Sequence, residues 1–594
     1  MPDKQHTLGQ YETPTDVADL LLGFCLRRPS DRLLDPSCGQ GAFLARAARL
    51  LGWLADGPDA PPDVLWGVEL DPDTAARAQA ALPQAHILSR SFFTLQPGTN
   101  DLPPAFDVII GNPPYTRAEW IGRLPTADGR QLDLFDDLPP AHTMPEADDK
   151  RLLMPRPLWE SLGGRSGLHA YFFLHGAQFL REGGRFGFVV PNGWLDVAYG
   201  KELKQFLLDH FKILAIIESN VERWFDDAKV NTCLVVLEKC SGTNRRADNQ
   251  VRLVRLKRPL RSLIPYPAHD PRRLTILEQI IPRLLPNDSR ETPETAVRVV
   301  TQSDLRPAAR WGLALRAPDV YRRRREEVQM VCLQDWAVVQ RGFTTGANTF
   351  FYLDKATVTK WQLESAFRRP LLKSLRGLET LRLTAVHCRH ELLWIPPGAD
   401  LAGTAAAAYL AWGESQGFHQ RTTCAARQPW YNLAVQPTAQ IVLPKGVWRR
   451  HVAPLLDDGL LVDQQLYQVI LPPDAPLAAT AALLNSAWFA LQCELQGRLN
   501  FGAGVLWLAA YELGQIFLPD PRRLAAAQVD ELTAAFTALT ARPLLPTEDE
   551  LAQADRMRLD TAVFDSLNFT ASERQETLAA LQDRLMTRQR LVKT

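Results

Sequence analysis

From residue 8 to residue 240 the chain alternates short apolar runs with amphipathic stretches whose apolar residues recur at helical spacing. That alternation predicts an α/β domain with a largely parallel sheet, because parallel neighbours need crossovers long enough to hold a helix. Thr15 or Asp16 is placed to cap a helix running through about residue 27. A short strand over 32–34 ends at Asp35, and a helix over 42–51 follows it. Strands are expected at 64–70, 86–88 and 106–110, with a helix over 72–82. Farther on come a helix over 171–181, a strand over 185–190, a helix over 201–210 and strands at 213–217 and 232–237.

The pattern breaks in two places. Residues 116–167 are Pro-rich and partly acidic, including Leu132-Asp-Leu-Phe-Asp-Asp137, and a loop that long inside a compact domain is expected to be a functional lid. After Cys240 the composition turns basic: residues 245–325 carry 19 Lys or Arg against 8 Asp or Glu and end on the run Arg322 to Arg325. Beyond that lie short strands, helices and Gly/Pro turns holding Trp336, Trp361, Trp394, Trp412, Trp430, Trp448, Trp488 and Trp507, then Ala/Leu-rich sequence of helical spacing from about Arg523. The expected organisation is a catalytic domain over 1–244 with a lid-like insertion at 116–167, a basic connector over 245–330, a mixed α/β second domain over 331–522 and a helical segment over 523–594.

At 594 residues with zero formal net charge, the chain is long enough for several domains, and its basic stretch suggests a localised anionic partner. Arginine outnumbers lysine 54 to 13, which suits bidentate contacts to phosphate and guanine and equally suits a GC-rich genome. The 8 cysteines are scattered without a Cys-x-x-Cys pair, so they are expected to be reduced and mostly buried. His387, Cys388 and His390 come nearest to a metal cluster but lack a second pair, and no metal is expected. No apolar run approaches the roughly 20 residues that span a bilayer, and the N-terminus has no signal-peptide pattern. A cytoplasmic protein without a membrane partner is expected.

Against that background, Val108-Ile-Ile-Gly-Asn-Pro-Pro-Tyr115 is the most informative stretch. Two successive prolines cannot donate to a sheet ladder and hold the chain extended, which fixes Asn112 and Tyr115 in a rigid turn at a strand end. The amide oxygen of Asn112 and the carbonyl of Pro113 can accept both hydrogens of an exocyclic NH2, and the Tyr115 ring offers a face for a heterocyclic base. Upstream, Asp35-Pro-Ser-Cys-Gly-Gln-Gly41 sits where the first strand turns into a helix. Gly39 and Gly41 allow close backbone approach, but Leu44 stands where a dinucleotide loop has its third glycine, and no Walker Lys-Ser or Lys-Thr follows. An acid at the head of the loop would repel a pyrophosphate and suits the ammonium end of a methionine-bearing cofactor. Glu69 ends the next strand, placed for the two hydroxyls of an adenosine ribose.

In this order the motifs resemble those of the Taq-type, or gamma-class, S-adenosylmethionine-dependent DNA adenine-N6 methyltransferases. The series runs Gln10-Tyr-Glu-Thr-Pro14, the Asp35 loop, Gly67-Val-Glu-Leu-Asp71, Ser91-Phe92-Phe93, Gly111-Asn-Pro-Pro-Tyr115, Phe188-Val-Val-Pro-Asn192 and Trp224-Phe225, covering nearly all of residues 8–240. The resemblance implies a Rossmann-like catalytic domain followed by a target-recognition domain. It implies that Thr13, Pro14, Asp35 and Gly39 hold the methionine part of the cofactor, that Glu69 binds its ribose and that Phe92 packs near its adenine. Pro36, Ser37, Gly41 and Leu70 complete the candidate cofactor set. Asn112, Pro113, Pro114 and Tyr115 are expected to grip the target base, with Phe225, or failing it Trp224, as the opposite wall. Where the family usually has an Asp before the Phe, this chain has Ser91, a weaker acceptor for an adenine amino group.

Val339-Gln-Arg-Gly-Phe-Thr-Thr-Gly-Ala-Asn348 is similar to the start of recognition domains in this family, and Trp448-Arg-Arg-His451 joins aromatic and basic groups suited to a groove or backbone contact. The expected activity is methylation of a flipped-out adenine in double-stranded DNA, of restriction-modification or phage-defence type, by a monomer on DNA. Any cognate restriction endonuclease is expected to be separately encoded. The alternatives are amino methylation of cytosine N4, RNA adenine or protein glutamine, and a DNA-binding pseudoenzyme with a weakened cofactor site.

Overall fold

The computed structural model describes residues 13–58, 60–99, 102–115, 161–162, 166–225, 231–325, 327, 330–433, 438–499 and 504–593. The lid expected at 116–167 therefore lies almost wholly outside the described residues. The chain divides into two units, residues 1–316 and 317–593.

The first unit is built on a ten-stranded sheet: β1 (Leu33–Asp35), β2 (Leu65–Glu69), β3 (His86–Ser89), β4 (Phe106–Gly111), β5 (Leu180–Pro191), β6 (Phe211–Ser219), β7 (Thr232–Lys239), β8 (Gln250–Leu256), β9 (Arg290–Glu291) and β10 (Thr295–Thr301). Their order is 3-2-1-4-5-7-6-8-10-9. Strands β3, β2, β1, β4 and β5 run parallel, and β7 is antiparallel to both β5 and β6. The order reverses between β1 and β4, since β1 connects to β2 on one side while β4 starts the run on the other. In open α/β sheets the crevice outside the carboxyl ends of two such strands is where ligands bind.

Helices cover both faces: α1 (Thr15–Cys25), α2 (Ala42–Leu54), α3 (Pro72–Ala81), α4 (Leu168–Gly176), α5 (Lys201–His210) and α6 (Arg272–Leu284). A sheet buried on both faces needs continuous apolar strands rather than alternating ones, and Val108, Ile109 and Ile110 are all buried. One core joins Leu33, Val108 and Ile110 to residues of α1, α2 and α6. The other joins Leu34, Ile109, Phe186 and Phe188 to residues of α4 and α5. Helix α1 begins as expected, but its N-cap is Pro14 and no side chain caps it. The helix expected over 171–181 ends at Gly176, because β5 already begins at Leu180.

The basic stretch after residue 244 joins this sheet. Strand β8 pairs in parallel with β6, and β10 pairs with β8 over seven residues. In β8, Val251, Leu253, Val254 and Leu256 are buried, but the adjacent Leu253-Val254 breaks the period of two and Arg252 and Arg255 interrupt the apolar run. Arg252 is tied down by Nε and Nη1 bonds to the carbonyls of Pro286 and Gln250. A strand whose arginines bond to backbone reads in sequence as a charged linker.

The second unit holds a five-stranded sheet of Val338–Arg341, Leu466–Ile470, Ile441–Pro444, Leu455–Leu456 and Arg382–Leu383, and a four-stranded sheet of Tyr352–Leu353, His390–Leu393, Arg368–Leu372 and Leu461–Val462. Helices follow at Leu477–Leu484, Ala487–Gln496, Ala526–Leu539, Ala554–Ser566 and Ala571–Lys593. Most of its tryptophans serve packing. Trp361, Trp394, Trp412 and Trp430 lie against the core of Phe350, Phe351 and Tyr409, Trp488 is fully buried, and Trp448 is 63% exposed.

Candidate active site

Strands β1, β2 and β4 deliver the candidate residues to one edge of the sheet. Asp35 is the last residue of β1 and Glu69 the last of β2, while Asn112 follows β4. The loop after Asp35 is fixed by its backbone: Ser37 N–H donates to Asp35 Oδ1 (3.1 Å), and Cys38 N–H donates to the Val68 carbonyl (2.9 Å). Gly39 has φ +54°, and a Cβ there would meet no atom within 4 Å, so the loop presents bare backbone to open space. At Gly111 a Cβ would come 2.8 Å from Asp35 Oδ1. That glycine is what lets the Asn-Pro-Pro turn lie directly beside the acid.

Glu69 is buried, and both its oxygens accept backbone N–H groups, Oε2 from Gly39 (2.9 Å) and Oε1 from Asp71 (3.0 Å). These two bonds fix the orientation of the carboxylate at the strand end. Leu70 beside it is 43% exposed, an apolar surface at the crevice. Asp35 is 1% exposed, and burial, reinforced by the nearby Glu69 charge, pushes its pKa up to about 8 against the opposing Ser37 amide. A buried acid in this state is a receptor for a cation. Ser37 Oγ is also buried, with no hydrogen-bond partner among the described residues. Open backbone at Gly39, an acid with no ion pair among the described residues, a pinned second acid and an exposed leucine together fit an aminoacyl-adenosine cofactor.

Around the turn, Asn112 Nδ2 donates to Thr13 Oγ1 (3.3 Å), which ties the turn to the start of α1. Pro14 is exposed at that helix start, while Pro36 and Pro113 are buried and Pro114 and Tyr115 half-buried. The Tyr115 and Phe225 rings lie 6.1 Å apart at 87°, edge to face. The structure therefore brings together the two expected walls, but not as a parallel slot. Carbon contacts of about 3.5 Å on each side of a base require roughly 7 Å between parallel rings, so one ring must turn to admit it. Trp224 faces inward with Phe225 in the core, and its Nε1 donates to Glu222 Oε1 (3.3 Å).

The Phe92 ring is buried among Phe172 (5.7 Å, stacked), Phe179 and His175. Ser91 is buried at the start of the same short turn, Phe92–Thr94.

Three supports escaped the sequence reading. His175 places Nε2 against the carbonyls of Phe92 (3.1 Å) and Leu95 (3.2 Å) and so buttresses the Ser91 turn; burial holds its pKa below the usual histidine value. Arg316 bonds to both oxygens of Glu218 (2.8 and 2.7 Å) and to Asp196 (2.7 Å), and Glu218 accepts from Asn192 (2.9 Å). Glu218 is followed by Ser219, whose Oγ accepts the amides of Val221 and Glu222 on the way to Phe225. Nothing in sequence spacing marks His175 or Arg316, because each works through contacts distant along the chain.

Most charges of the two basic candidate runs in the second unit are paired, while Arg325 is exposed and has no ion pair among the described residues. Arg322 pairs with Asp319, Arg323 with Glu576 (2.9 Å), and buried Arg324 with Glu327 (2.8 Å) and Glu573. In the Trp448–His451 run, Arg449 pairs with Glu548 and His451 is buried against Glu494 (2.8 Å), which also holds Arg588. Charges neutralised in this way are poorly placed to meet phosphate.

Residues 2–262 match the family described as N-6 DNA Methylase. Over that stretch the chain is similar to the N-6 DNA methylases. Residues 310–552 match the C-terminal domain of the type II methyltransferase M.Eco57I. Among curated relatives, the type II methyltransferase M.AccI of Acinetobacter calcoaceticus is 23% identical over 356 residues, 58% of this chain and 55% of that protein. The type II methyltransferase M.TthHB8I of Thermus thermophilus is 29% identical over 205 residues, 34% of this chain and 39% of that protein. The matches thus span about half or less of these relatives. The type IIL restriction-modification enzyme MmeI, solved in complex with DNA, shares the fold with a TM-score of 0.54 at 15% identity, over 98% of this chain and 75% of that one.

Proposed function

We propose that the chain is a site-specific DNA methyltransferase that transfers a methyl group from S-adenosylmethionine to the N6 amino group of an adenine flipped out of duplex DNA, in restriction-modification or phage defence. The observation that carries this reading is the juxtaposition at the β1/β4 switch point: the amine-gripping turn at Asn112 lies against the cation-seeking Asp35 through Gly111. In the bound state the cofactor's sulfonium supplies the methyl group. Asp35 holds the ammonium end, Thr13 and Pro14 flank it, the Ser37–Gly41 backbone wraps the methionine part, Glu69 takes the ribose hydroxyls, and Leu70 with the Ser91–Phe92 turn borders the adenine.

The chain's residues need no strong base. The lone pair of an aromatic amine is delocalised into its ring. Asn112 Oδ1 and the Pro113 carbonyl accept its two hydrogens and draw it toward a pyramidal nitrogen whose lone pair points at the methyl carbon. With the cofactor bound, its methyl group would pass to that nitrogen, which would then give up one proton to solvent. Positioning and preorganised dipoles account for most of such an acceleration. The amine is out of reach inside a duplex, and flipping costs a few kcal/mol. Stacking on Tyr115 and Phe225, about 1 to 3 kcal/mol per aromatic contact, offsets that cost once the edge-on pair has opened.

The same reading gives residues 331–522 the recognition role, with residues 523–594 as its helical support. It also has the chain act as a monomer on DNA in the cytoplasm, beside a separately encoded endonuclease. No helix among the described residues is long and apolar enough to cross a membrane. The test is incubation of duplex DNA with methyl-tritiated cofactor followed by nucleoside analysis. Label in N6-methyladenine is the expected outcome, and label in N4-methylcytosine, or none in DNA, overturns the reading.

A further inference from the structure

Several basic side chains of the second unit form no ion pair among the described residues, and three of them line one cleft. A cleft of about 410 Å³ is lined by Lys373, Ser374, Arg376, His387, Arg389 and His390, with Leu372 and Leu378 at its apolar base. Lys373, Arg376 and Arg389 are exposed, and none forms an ion pair among the described residues. The two carboxylates flanking the cleft are engaged outside it, Glu391 by Arg368 and Glu379 by Arg450 (4.0 Å). His387 Nδ1 accepts the Thr384 backbone N–H (3.1 Å), which puts the ring proton on Nε2 and makes that atom a donor. The turn through Gly377, at φ +78° with open space around its Cβ position, leaves the rim uncrowded. Beside the cleft, on the short turn Ala385–His387, Val386 is 88% exposed.

We propose that this cleft is a DNA-backbone site: Lys373, Arg376 and Arg389 seat consecutive phosphodiesters of a duplex, and Val386 rests against a groove wall. The inference rests on the reading that the chain acts on DNA, and it names the surface. Three cations without an ion pair among the described residues, Lys373 also lying 5.7 Å from the Tyr352 ring centroid, surround an opening that offers imidazole and hydroxyl donors and match the chemistry of a phosphate run, for which Arg and Lys are the usual partners. An exposed aliphatic side chain between basic groups is the arrangement by which proteins contact sugars and base edges beside the phosphates they grip.

Binding of full-length protein to a fluorescein-labelled duplex, followed by anisotropy across a salt series, tests it. Each phosphate contact adds about 0.9 to the slope of log affinity against log salt. The triple variant K373A/R376A/R389A is therefore expected to be shallower by up to about 2.7. Between roughly 50 and 200 mM salt the wild type should then lose about 40-fold more affinity than the variant. Arg558→Ala, which removes an exposed arginine already paired with Glu531 (2.9 Å), is expected to leave the slope unchanged. Arg376→Glu should weaken binding more than Arg376→Ala while thermal unfolding stays as in the wild type. An unchanged slope in the triple variant, or an equal fall in Arg558→Ala, overturns the site. Loss of inorganic phosphate binding in the triple variant without a change in DNA slope also overturns it, by showing a small-anion pocket. If the wild type methylates duplex DNA while the variant's slope is unchanged, only this inference fails. If the wild type neither binds nor methylates the duplex, the proposed function fails with it.

Discussion

Replacing Asp35 by Asn removes one ionisable group and almost no volume, and the amide oxygen can still accept the Ser37 N–H that Asp35 Oδ1 accepts at 3.1 Å. In the ligand-free protein burial holds the Asp35 pKa at about 8, against an ordinary 3.8. The folded state therefore keeps a proton that the unfolded chain releases near pH 4, and stability is greatest at low pH and falls as pH rises from about 4 to 8. At pH 7 the deficit is about 4 kcal/mol, and at pH 5 it is about 2. The advantage of Asp35→Asn over wild type in unfolding free energy should thus grow by about 2.5 kcal/mol between pH 5 and pH 7. Binding a cationic cofactor reverses the sign. The bound ammonium favours the carboxylate, so at pH 7 the free site, about 90% protonated, must release about 0.9 proton per cofactor bound. Affinity should rise nearly tenfold from pH 6 to pH 7. Calorimetric titration with S-adenosylmethionine in two buffers of different ionisation enthalpy reads the proton count directly. Asp35→Asn should bind far more weakly, with no linked proton. Wild-type binding without proton release, or an Asn variant that binds equally well, would refute both the raised pKa and its role as cation receptor.

Asn112→Ala removes one of the two acceptors on the target amine, and methyl transfer is expected to fall by about 10²- to 10³-fold with cofactor affinity kept within a factor of two, read by tritium transfer beside calorimetry. For Phe225→Ala, loss of one stacking face should cost about 1 to 3 kcal/mol of binding to a duplex with an abasic partner opposite the target; Phe225→Leu should recover part of it, and equal affinities for all three proteins would assign Phe225 to the core alone. Arg316→Met strands Glu218 and Asp196 without their shared cation and should destabilise the first unit by about 3 to 5 kcal/mol in denaturant unfolding. Adding Glu218→Gln and Asp196→Asn should restore part of that loss, and a single variant as stable as wild type would show that the clamp carries little.

The first sheet was legible because each local signal agreed with the next. An apolar run such as Val108 to Ile110 can only be a strand buried on both faces, and the acids at Asp35 and Glu69 stand at strand ends where the topology gathers functional side chains. Strand β8 was not legible, since Arg252 and Arg255 look solvent-seeking in sequence while Arg252 in fact ties two backbone carbonyls. Phe92 takes its place in the motif order, but the packing around its ring comes from Phe172, His175 and Phe179, some 80 residues away, which no local pattern encodes.

The same limit applies to charge. The run Arg322 to Arg325 stands out in the sequence as a basic block, suited equally to a solvated helix face and to phosphate contact, whereas Lys373, Arg376 and Arg389 form no run. What separates them is compensation: Arg324 is buried and held by Glu573 and Glu327, carboxylates supplied by a helix some 250 residues on and by a close neighbour, while the three scattered cations form no ion pair among the described residues. A paired arginine must break its ion pair before it can take a phosphate, and a buried pair costs about 3 to 5 kcal/mol to break, more than one backbone contact returns. Density of basic residues along a chain thus reports where positive charge is made, and only the fold reports where it is left over. For a protein whose net charge is zero, an anionic partner must find cations left without an acid, and the cleft of Lys373, Arg376 and Arg389 gathers three that form no ion pair among the described residues.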